Sequence, residues 1–238
     1  MKKHFLFIAL LLTWATTQAQ TANFFTKAEA FLAKNISNGM VDYAGIKANA
    51  AELKDLVHMI GTYGLSAADK STQKAFLINA YNILVIKNVV DHYPIAKPTD
   101  VPGFFDNTKF NVAGSQVTLS DIENVKIRPV FKDPRTHFAL VCAAKSCPPI
   151  ANFAFTPTNV ESKLESLTKA AMNNATFIKV NTGNKTVKFS QILDWYKDDF
   201  LAEEKSILDY VNKYRTTPIP ATFTQGFYDY NWALNGKK

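Results

Sequence analysis

The sequence has few of the residues and motifs on which common enzyme classes depend. Its 238 residues include only two cysteines and four histidines. It contains no GxGxxG, phosphate-loop, GxSxG, HExxH or EF-hand pattern. These absences argue against several common enzyme classes and give no reason to expect a cofactor.

The sequence also lacks any concentration of basic charge. The formal net charge is +7, but no run of five or more positive residues occurs, and Lys2 and Lys3 supply two of the charges. Nucleic-acid binding requires a basic stripe with interleaved aromatic residues, which is not found. The charge pattern therefore indicates a solvated, mildly basic surface and no nucleic-acid partner.

The first residues have the pattern of a secretory signal peptide. Lys2 and Lys3 precede an apolar run over 5–14, and small residues follow at 17–19. The apolar run is shorter than the roughly 20 residues that span a bilayer. We expect a signal peptide over 1–19 and an exported product, periplasmic or secreted, that does not span the membrane. Such a protein meets an oxidising environment.

Hydrophobic periodicity predicts a single α+β domain over residues 20–238. Residues 72–92 are apolar on all sides, which is typical of a buried helix. Helices and strands do not alternate regularly, so we expect a mixed or antiparallel sheet packed against that helix. The remaining pattern predicts helices over 24–36, 46–61, 158–173 and 190–214, paired strands over 109–119 and 176–189, and a buried strand over 136–142.

The residues that could carry chemistry concentrate in segment 128–149. It contains His137, Cys142 and Cys147. In a regular strand, His137 and Cys142 would point to opposite faces with Cα atoms about 16 Å apart, which rules out a direct dyad. Cys147 follows in a loop and could return towards either residue. Lys145 lies close by and could favour a thiolate.

Three interpretations of the cysteines remain open. A Cys142–Cys147 disulfide suits the short loop and the oxidising compartment. Alternatively, Cys147 is a nucleophile with His137 as its base. The third is either inert buried thiols or a metal site using His137 and both sulfurs, although five-residue steps are not a familiar ligand spacing. A permanent disulfide and a catalytic thiol exclude each other.

Other polar residues are candidates for binding or support. Asn79 and Asn82 share one face of the apolar helix, where they could be a structural latch or an orienting, oxyanion-stabilising group. Glu123 is expected to close a capping box that begins three residues earlier. Arg128 and Arg135 flank the cysteine–histidine segment and could bind an acidic group or form ion pairs.

Seven segments of the sequence together carry a resemblance to a known family: Val41–Tyr43, Phe76–Asn82, Tyr93–Pro94, Leu119–Glu123, Asp133–Cys142, Lys145–Pro149 and Tyr230–Asn235. They resemble the domain-of-unknown-function 547 family of bacteria and plants. The resemblance spans about residues 40–235, and its most specific part is the block around His137 and both cysteines. Leu77 replaces a frequent Trp, and Asn231 precedes Trp232 where the family commonly has Asp. The family name assigns no biochemical activity, so the resemblance implies no reaction.

The arrangement around His137 is also similar to papain-like and transglutaminase-like thiol enzymes, in which the catalytic His begins a core strand. Those enzymes place Cys at the start of the buried helix, before the His. Here that helix offers Asn79, and both cysteines follow His137. The analogy concerns the fold and says little about function.

Two functions remain as predictions. The first is an exported binding module, braced by a Cys142–Cys147 disulfide, for a peptide, glycan or protein partner in the cell envelope. The alternative is a thiol-dependent hydrolase or acyltransferase on amide or peptide substrates, with Cys147 as nucleophile and His137 as base. The predicted polar site comprises His137, Cys147, Asn79, Asn82, Glu123, Arg128, Arg135 and Lys145.

Overall fold

The computed structural model describes residues 23–237, so the predicted signal peptide lies outside the described residues. The N-terminal half is mainly helical. Two of its helices begin at aspartates: Asp42 accepts a hydrogen bond from Gly45 N, and Asp69 accepts one from Thr72 N. The elements in order are α1 (23–35), β1 (Ile36–Ser37), β2 (Met40–Val41), α2 (Tyr43–Ala48), α3 (Ala51–Thr62) and α4 (Lys70–His92).

Helix α4 lies at the centre of the first cluster of buried apolar residues. Sixteen of its 23 residues are buried, so it is enclosed on nearly all sides. It packs against α2, α3 and two later helical segments. The prediction of a buried central helix is confirmed, and most of its neighbours are helices. No helix within 23–237 has both the length and the apolar character needed to cross a bilayer.

A short hairpin and an irregular helix follow. Strands β3 (Phe110–Val112) and β4 (Ser115–Val117) pair antiparallel, as predicted. Their turn places Ala113 and Gly114 at φ values of 50° and 80°, which suit a tight hairpin. The helical segment comprises α5 (Leu119–Asp121), a π-helical turn (Ile122–Ile127) and α6 (Arg128–Phe131).

The capping box of this segment lies two residues earlier than predicted. Thr118 Oγ1 accepts a hydrogen bond from Asp121 N at 3.0 Å, and Asp121 Oδ2 accepts one from Thr118 N at 2.9 Å. Thr118 is the last extended residue after β4, so it occupies the cap position. The predicted box ending at Glu123 is therefore wrong, and Glu123 is available for other contacts.

The predicted strand over 136–142 is also wrong. Residues Pro134–Phe138 form a 3₁₀ helix, and the next four residues form no regular element. Asp133 starts the 3₁₀ helix by accepting a hydrogen bond from Arg135 N at 3.1 Å. The segment is apolar because it is buried, and burial alone does not distinguish a strand from another buried conformation.

The C-terminal half contains the largest sheet. Strand β5 pairs antiparallel with β6, and β6 pairs parallel with β7. The helical region predicted over 190–214 is divided into three helices. The elements are α7 (Val160–Asn173), β5 (Ile178–Asn181), β6 (Thr186–Phe189), α8 (Ile192–Trp195), α9 (Lys197–Leu201), α10 (Ile207–Tyr214) and β7 (Thr224–Phe227).

Two clusters of buried side chains make up the interior. One surrounds α4, and the other lies between the three-stranded sheet, α7, α9 and α10. The last residues return to the first cluster, where Leu234 pairs with Ala144 and Gly236 pairs with Val41. The molecule is a single-domain α+β fold with small antiparallel and mixed sheets, as predicted.

Candidate functional site

A cavity of about 390 Å³ opens where the π-helical turn, the 3₁₀ helix, α8 and the C-terminal segment meet. Its lining consists of aromatic side chains, polar side chains, the two cysteines and the aliphatic residues Leu140 and Ile192. The aromatic group is Tyr81, Phe105, Trp195, Tyr196, Tyr230 and Trp232, and the polar group is Ser120, Glu123, Asn124 and His137.

His137 is held from two sides. Its Nε2 lies 2.8 Å from Asp199 Oδ2, and its ring stacks on Tyr196 with centroids 3.9 Å apart. The side chain is only 1% exposed. Because an ionised carboxylate only accepts hydrogen bonds, Nε2 carries the proton and donates. The other nitrogen, Nδ1, has no hydrogen-bond partner among the described residues and lies 3.9 Å from Glu123 Oε1.

Asp199 is shared by two donors. Arg128 Nε donates to the same Oδ2 at 2.7 Å, and its guanidinium lies 4.9 Å from the centre of the Tyr196 ring. The hydrogen bonds from His137 and Arg128 hold the pKa of Asp199 well below its usual range. Asp199 is therefore ionised at neutral pH and fixes the orientation of the imidazole.

Glu123 reaches the cavity from the π-helical turn and is 8% exposed. Single π-helical turns often occur at functional sites. Tyr81 and Tyr196 hydrogen-bond to Glu123, and the pKa of each tyrosine is raised, first by burial and then by the Glu123 charge. Both hydroxyls consequently stay protonated and donate to the carboxylate.

Three aromatic rings form the rim of the cavity. The rings of Trp195 and Trp232 stack with centroids 5.8 Å apart, and Tyr230 is tilted against both at 4.8 Å. Trp195 is 48% exposed, so its ring is partly open to solvent. Backbone hydrogen bonds anchor the segment that bears Tyr230 and Trp232. In one of them, Lys145 N donates to Ala233 O at 2.8 Å.

The cysteines form a Cys142–Cys147 disulfide, so that prediction is confirmed. Tyr230 Oη lies 3.1 Å from the Cys142 sulfur and 3.0 Å from the Cys147 sulfur. The predicted strand is absent, and the prediction that His137 and Cys142 lie on opposite faces is also wrong, because both residues line this cavity. Both sulfurs are bonded, so Cys147 presents no free thiol.

The two asparagines of α4 bond the backbone of irregular segments. Asn79 Nδ2 donates to Phe155 O at 2.7 Å, and its Oδ1 accepts from Phe155 N at 3.0 Å. Asn82 bonds Ala139 O at 2.8 Å and Val141 N at 3.0 Å in the same way. Neither lines the cavity around His137. Their amides latch α4 to these segments, and an orienting role for them stays a prediction.

Arg135 and Lys145 lie away from this cavity. Arg135 pairs with Asp133 at 2.8 Å and with Glu161 at 2.5 Å. Lys145 is exposed and lines a second cavity of about 580 Å³ on the other side of the disulfide loop. Within residues 23–237, no group of three or more His, Cys, Asp or Glu side chains is arranged to hold a metal ion. The binding roles predicted for Arg135 and Lys145 stay predictions.

Sequence reasoning did not identify Asp199, Tyr196 or Trp195 as residues of this site. Asp199 follows His137 by 62 residues and belongs to no motif. Trp195 and Tyr196 are at the end of α8, in a helix with ordinary amphipathic spacing. The only local signal was the Tyr230–Trp232 segment, which contributed to the family resemblance.

These features define a small α+β domain with a cavity built from a buried histidine in contact with Asp199, a buried glutamate, an aromatic rim and a disulfide. Residues 65–170 match the family described as "Protein of unknown function, DUF547", and this part of the chain belongs to that family. The predicted family is thus confirmed over a segment with α4, Glu123, His137 and both cysteines. Asp199 and the rim lie beyond it. No curated protein and no solved structure matched the chain.

Proposed function

We propose that this protein is an exported binding module without catalytic activity, whose ligand enters the cavity between Glu123 and the aromatic rim. The observation that carries the proposal is the Nδ1 atom of His137, which is buried and unpartnered among the described residues and lies beside Glu123. Leaving such a group unsatisfied costs roughly 1–3 kcal/mol. A ligand that bonds this atom recovers that cost.

The shape and lining of the cavity support the same proposal. Ligand sites are concave, mostly apolar, and carry a few convergent polar groups. Here aromatic rings surround a deep end that holds Glu123 and His137. The Asp199 and Tyr196 contacts keep the imidazole in place before a ligand arrives. Such preorganisation lowers the entropic cost of binding.

Export rests on two independent features. The first residues have the pattern of a secretory signal peptide, and the domain contains a disulfide. Disulfides persist mainly in oxidising compartments. We therefore propose that the protein acts in the periplasm or outside the cell, with a peptide, glycan or protein partner in the cell envelope.

Ligand retention tests the proposal. The purified full chain is incubated with an extract of the cell envelope, and retained small molecules are identified by mass spectrometry. We expect a ligand that wild-type protein retains and that Glu123→Gln and Trp195→Ala lose. Glu52→Gln is the matched control, because Glu52 is an exposed carboxylate on α3 paired with Lys34. Equal retention by wild type and both cavity variants would contradict the proposal.

A thiol assay tests the absence of thiol chemistry. We expect no reaction of the native protein with a thiol reagent, and a mass increase of two hydrogen atoms after reduction, because both sulfurs are bonded. The thiol-hydrolase alternative requires a free Cys147 activated by His137. A reactive Cys147 in unreduced protein, with reactivity lost in His137→Ala, would support that alternative instead.

A further inference from the structure

The charges around the cavity exclude one broad class of ligand. No lysine or arginine appears in its lining within the described part of the chain, and Glu123 is the lining carboxylate. Arg128 is committed to Asp199 at 2.7 Å and to Asn124 at 2.7 Å. A phosphate or carboxylate ligand would therefore meet Glu123 without a free cation to compensate it. These charges favour a neutral or cationic ligand.

The inner end of the cavity presents two polar atoms side by side. Asp199 bonds Nε2 of His137, so Nδ1 is the ring nitrogen left for a ligand. Glu123 Oε1 is 3.9 Å away from it. Neighbouring hydroxyl oxygens of a sugar ring lie about one hydrogen-bond length apart, so two hydroxyls can hydrogen-bond to these two atoms at once.

The rim offers an exposed aromatic ring face. The rings of Trp195, Tyr230 and Trp232 lie against one another with centroids 4.8–5.8 Å apart, and Trp195 is 48% exposed. The exposed face of an aromatic ring is slightly negative. The C–H face of a pyranose is apolar and slightly positive, so it stacks well on such a ring.

We propose that the cavity binds a neutral pyranose unit of a glycan. Its C–H face lies on the exposed Trp195 ring, and two adjacent hydroxyls hydrogen-bond to Glu123 Oε1 and His137 Nδ1. Ser120 and Asn124, which are joined at 3.1 Å on the same wall, provide further hydroxyl and amide groups at the edge of the ring. This inference rests on the proposed function and names its ligand class.

Tryptophan fluorescence provides a direct measurement. The sequence contains three tryptophans, and two of them, Trp195 and Trp232, line the cavity. The full chain, purified without reductant, is titrated with maltotriose, cellotriose and the trisaccharide of N-acetylglucosamine up to millimolar concentration. We expect at least one trisaccharide to change the fluorescence saturably, with saturation-transfer NMR placing the contact on the C–H protons of one ring.

Variants test the aromatic stacking surface and the hydrogen-bonding groups separately. Trp195→Ala should weaken binding about tenfold or more, because the stacking surface is lost. Glu123→Gln should have a similar effect, because a hydrogen bond to a charged acceptor becomes a neutral one. A deoxy analogue of the best sugar should bind more weakly still, because it leaves a buried acceptor unpaired. Trp232→Phe serves as a second rim variant if Trp195→Ala shows an altered circular-dichroism spectrum.

Matched controls lie outside the cavity. Phe153→Ala removes a half-buried ring elsewhere on the surface, and Glu52→Gln removes an exposed carboxylate. Both should leave the sugar affinity unchanged. Equal weakening by a control and by Trp195→Ala would overturn the inference.

Two further results separate the inference from the proposed function. If no trisaccharide binds and tetramethylammonium or trialanine changes the fluorescence in a Trp195-dependent way, the ligand is not a glycan but the cavity is still a binding site. If envelope ligands are retained equally by wild type, Trp195→Ala and Glu123→Gln, the proposed function itself fails, and the glycan inference fails with it.

Discussion

His137 has its orientation fixed by side chains from distant parts of the sequence. Asp199 bonds one nitrogen, Tyr196 covers one face of the ring, and Phe200 lies with its ring centre 5.5 Å away. The remaining nitrogen faces Glu123 across 3.9 Å. An imidazole held this way keeps one orientation and leaves one ring nitrogen for a ligand.

We expect Asp199→Asn to lower the free energy of unfolding at neutral pH by roughly 1–3 kcal/mol, because hydrogen bonds to a charged group are lost. The folded-state pKa of Asp199 is depressed. Its contribution is therefore present above the unfolded-state pKa and is lost as the pH falls through the folded-state value. The difference between wild type and variant should persist into mild acid and disappear only in strong acid.

Urea unfolding at several pH values measures this difference. Asp55→Asn is the control, because Asp55 forms an exposed ion pair with Lys27 and such pairs contribute little. Equal stability of wild type and Asp199→Asn at neutral pH would show that the network around His137 does not stabilise the fold.

At the scale of the element, helix α4 supplies the hydrogen-bond partners that a neighbouring strand would otherwise provide. The buried segment after the 3₁₀ helix has no neighbouring strand, so its backbone groups need other partners. Asn82 supplies them by bonding Ala139 O and Val141 N, as one residue of a paired strand would. Asn79 does the same for Phe155. The two amides hold the segment that follows His137 and the segment that leads to α7 against helix α4.

We expect Asn82→Leu to lower the free energy of unfolding by roughly 2–4 kcal/mol, because a buried N–H and a buried C=O both lose their partner. Hydrogen exchange at the Val141 amide should speed up more than exchange in α10. Asn184→Leu is the control, because Asn184 is exposed in the turn between β5 and β6. An unchanged midpoint of chemical unfolding for Asn82→Leu would contradict the latch.

On the scale of the whole molecule, the disulfide loop joins the middle of the chain to its end. Lys145 N bonds Ala233 O, Ser146 N bonds Asn231 O, and Asn235 N bonds Ala143 O. Tyr230 contacts both sulfurs. The loop thus holds the two aromatic residues that the C-terminal segment contributes to the rim.

We expect the double variant Cys142→Ala/Cys147→Ala to be less stable by about 2 kcal/mol, the value for closing such a short loop. Reduction of the wild type should lower stability by the same amount, and reductant should not affect the variant. Thermal unfolding with and without reductant measures both effects. A wild type that is insensitive to reductant would show that the bridge does not stabilise the fold.

Local chemistry determined much of this fold. The apolar run over 72–92 can only be a buried helix, and the paired strands around Gly114 and Gly183 follow from turn residues between β-prone runs. Segment 133–149 was also recognisable as a family signature. These features depend on residues that are close in sequence, so a sequence pattern suffices to detect them.

Tertiary structure decided the rest. The run over 136–142 is equally suited to a strand and to any other buried segment, and in the folded chain it forms part of a 3₁₀ helix and an irregular stretch that Asn82 bonds. Glu123 was wrongly predicted to close the capping box, because the helix is capped by Thr118 and not by Ser120. The pairing of His137 with Asp199 joins residues 62 apart, and only the packing of α9 against the rest of the chain brings them together. Sequence alone determines local conformation and burial, whereas a site built from distant segments exists only once the chain has packed.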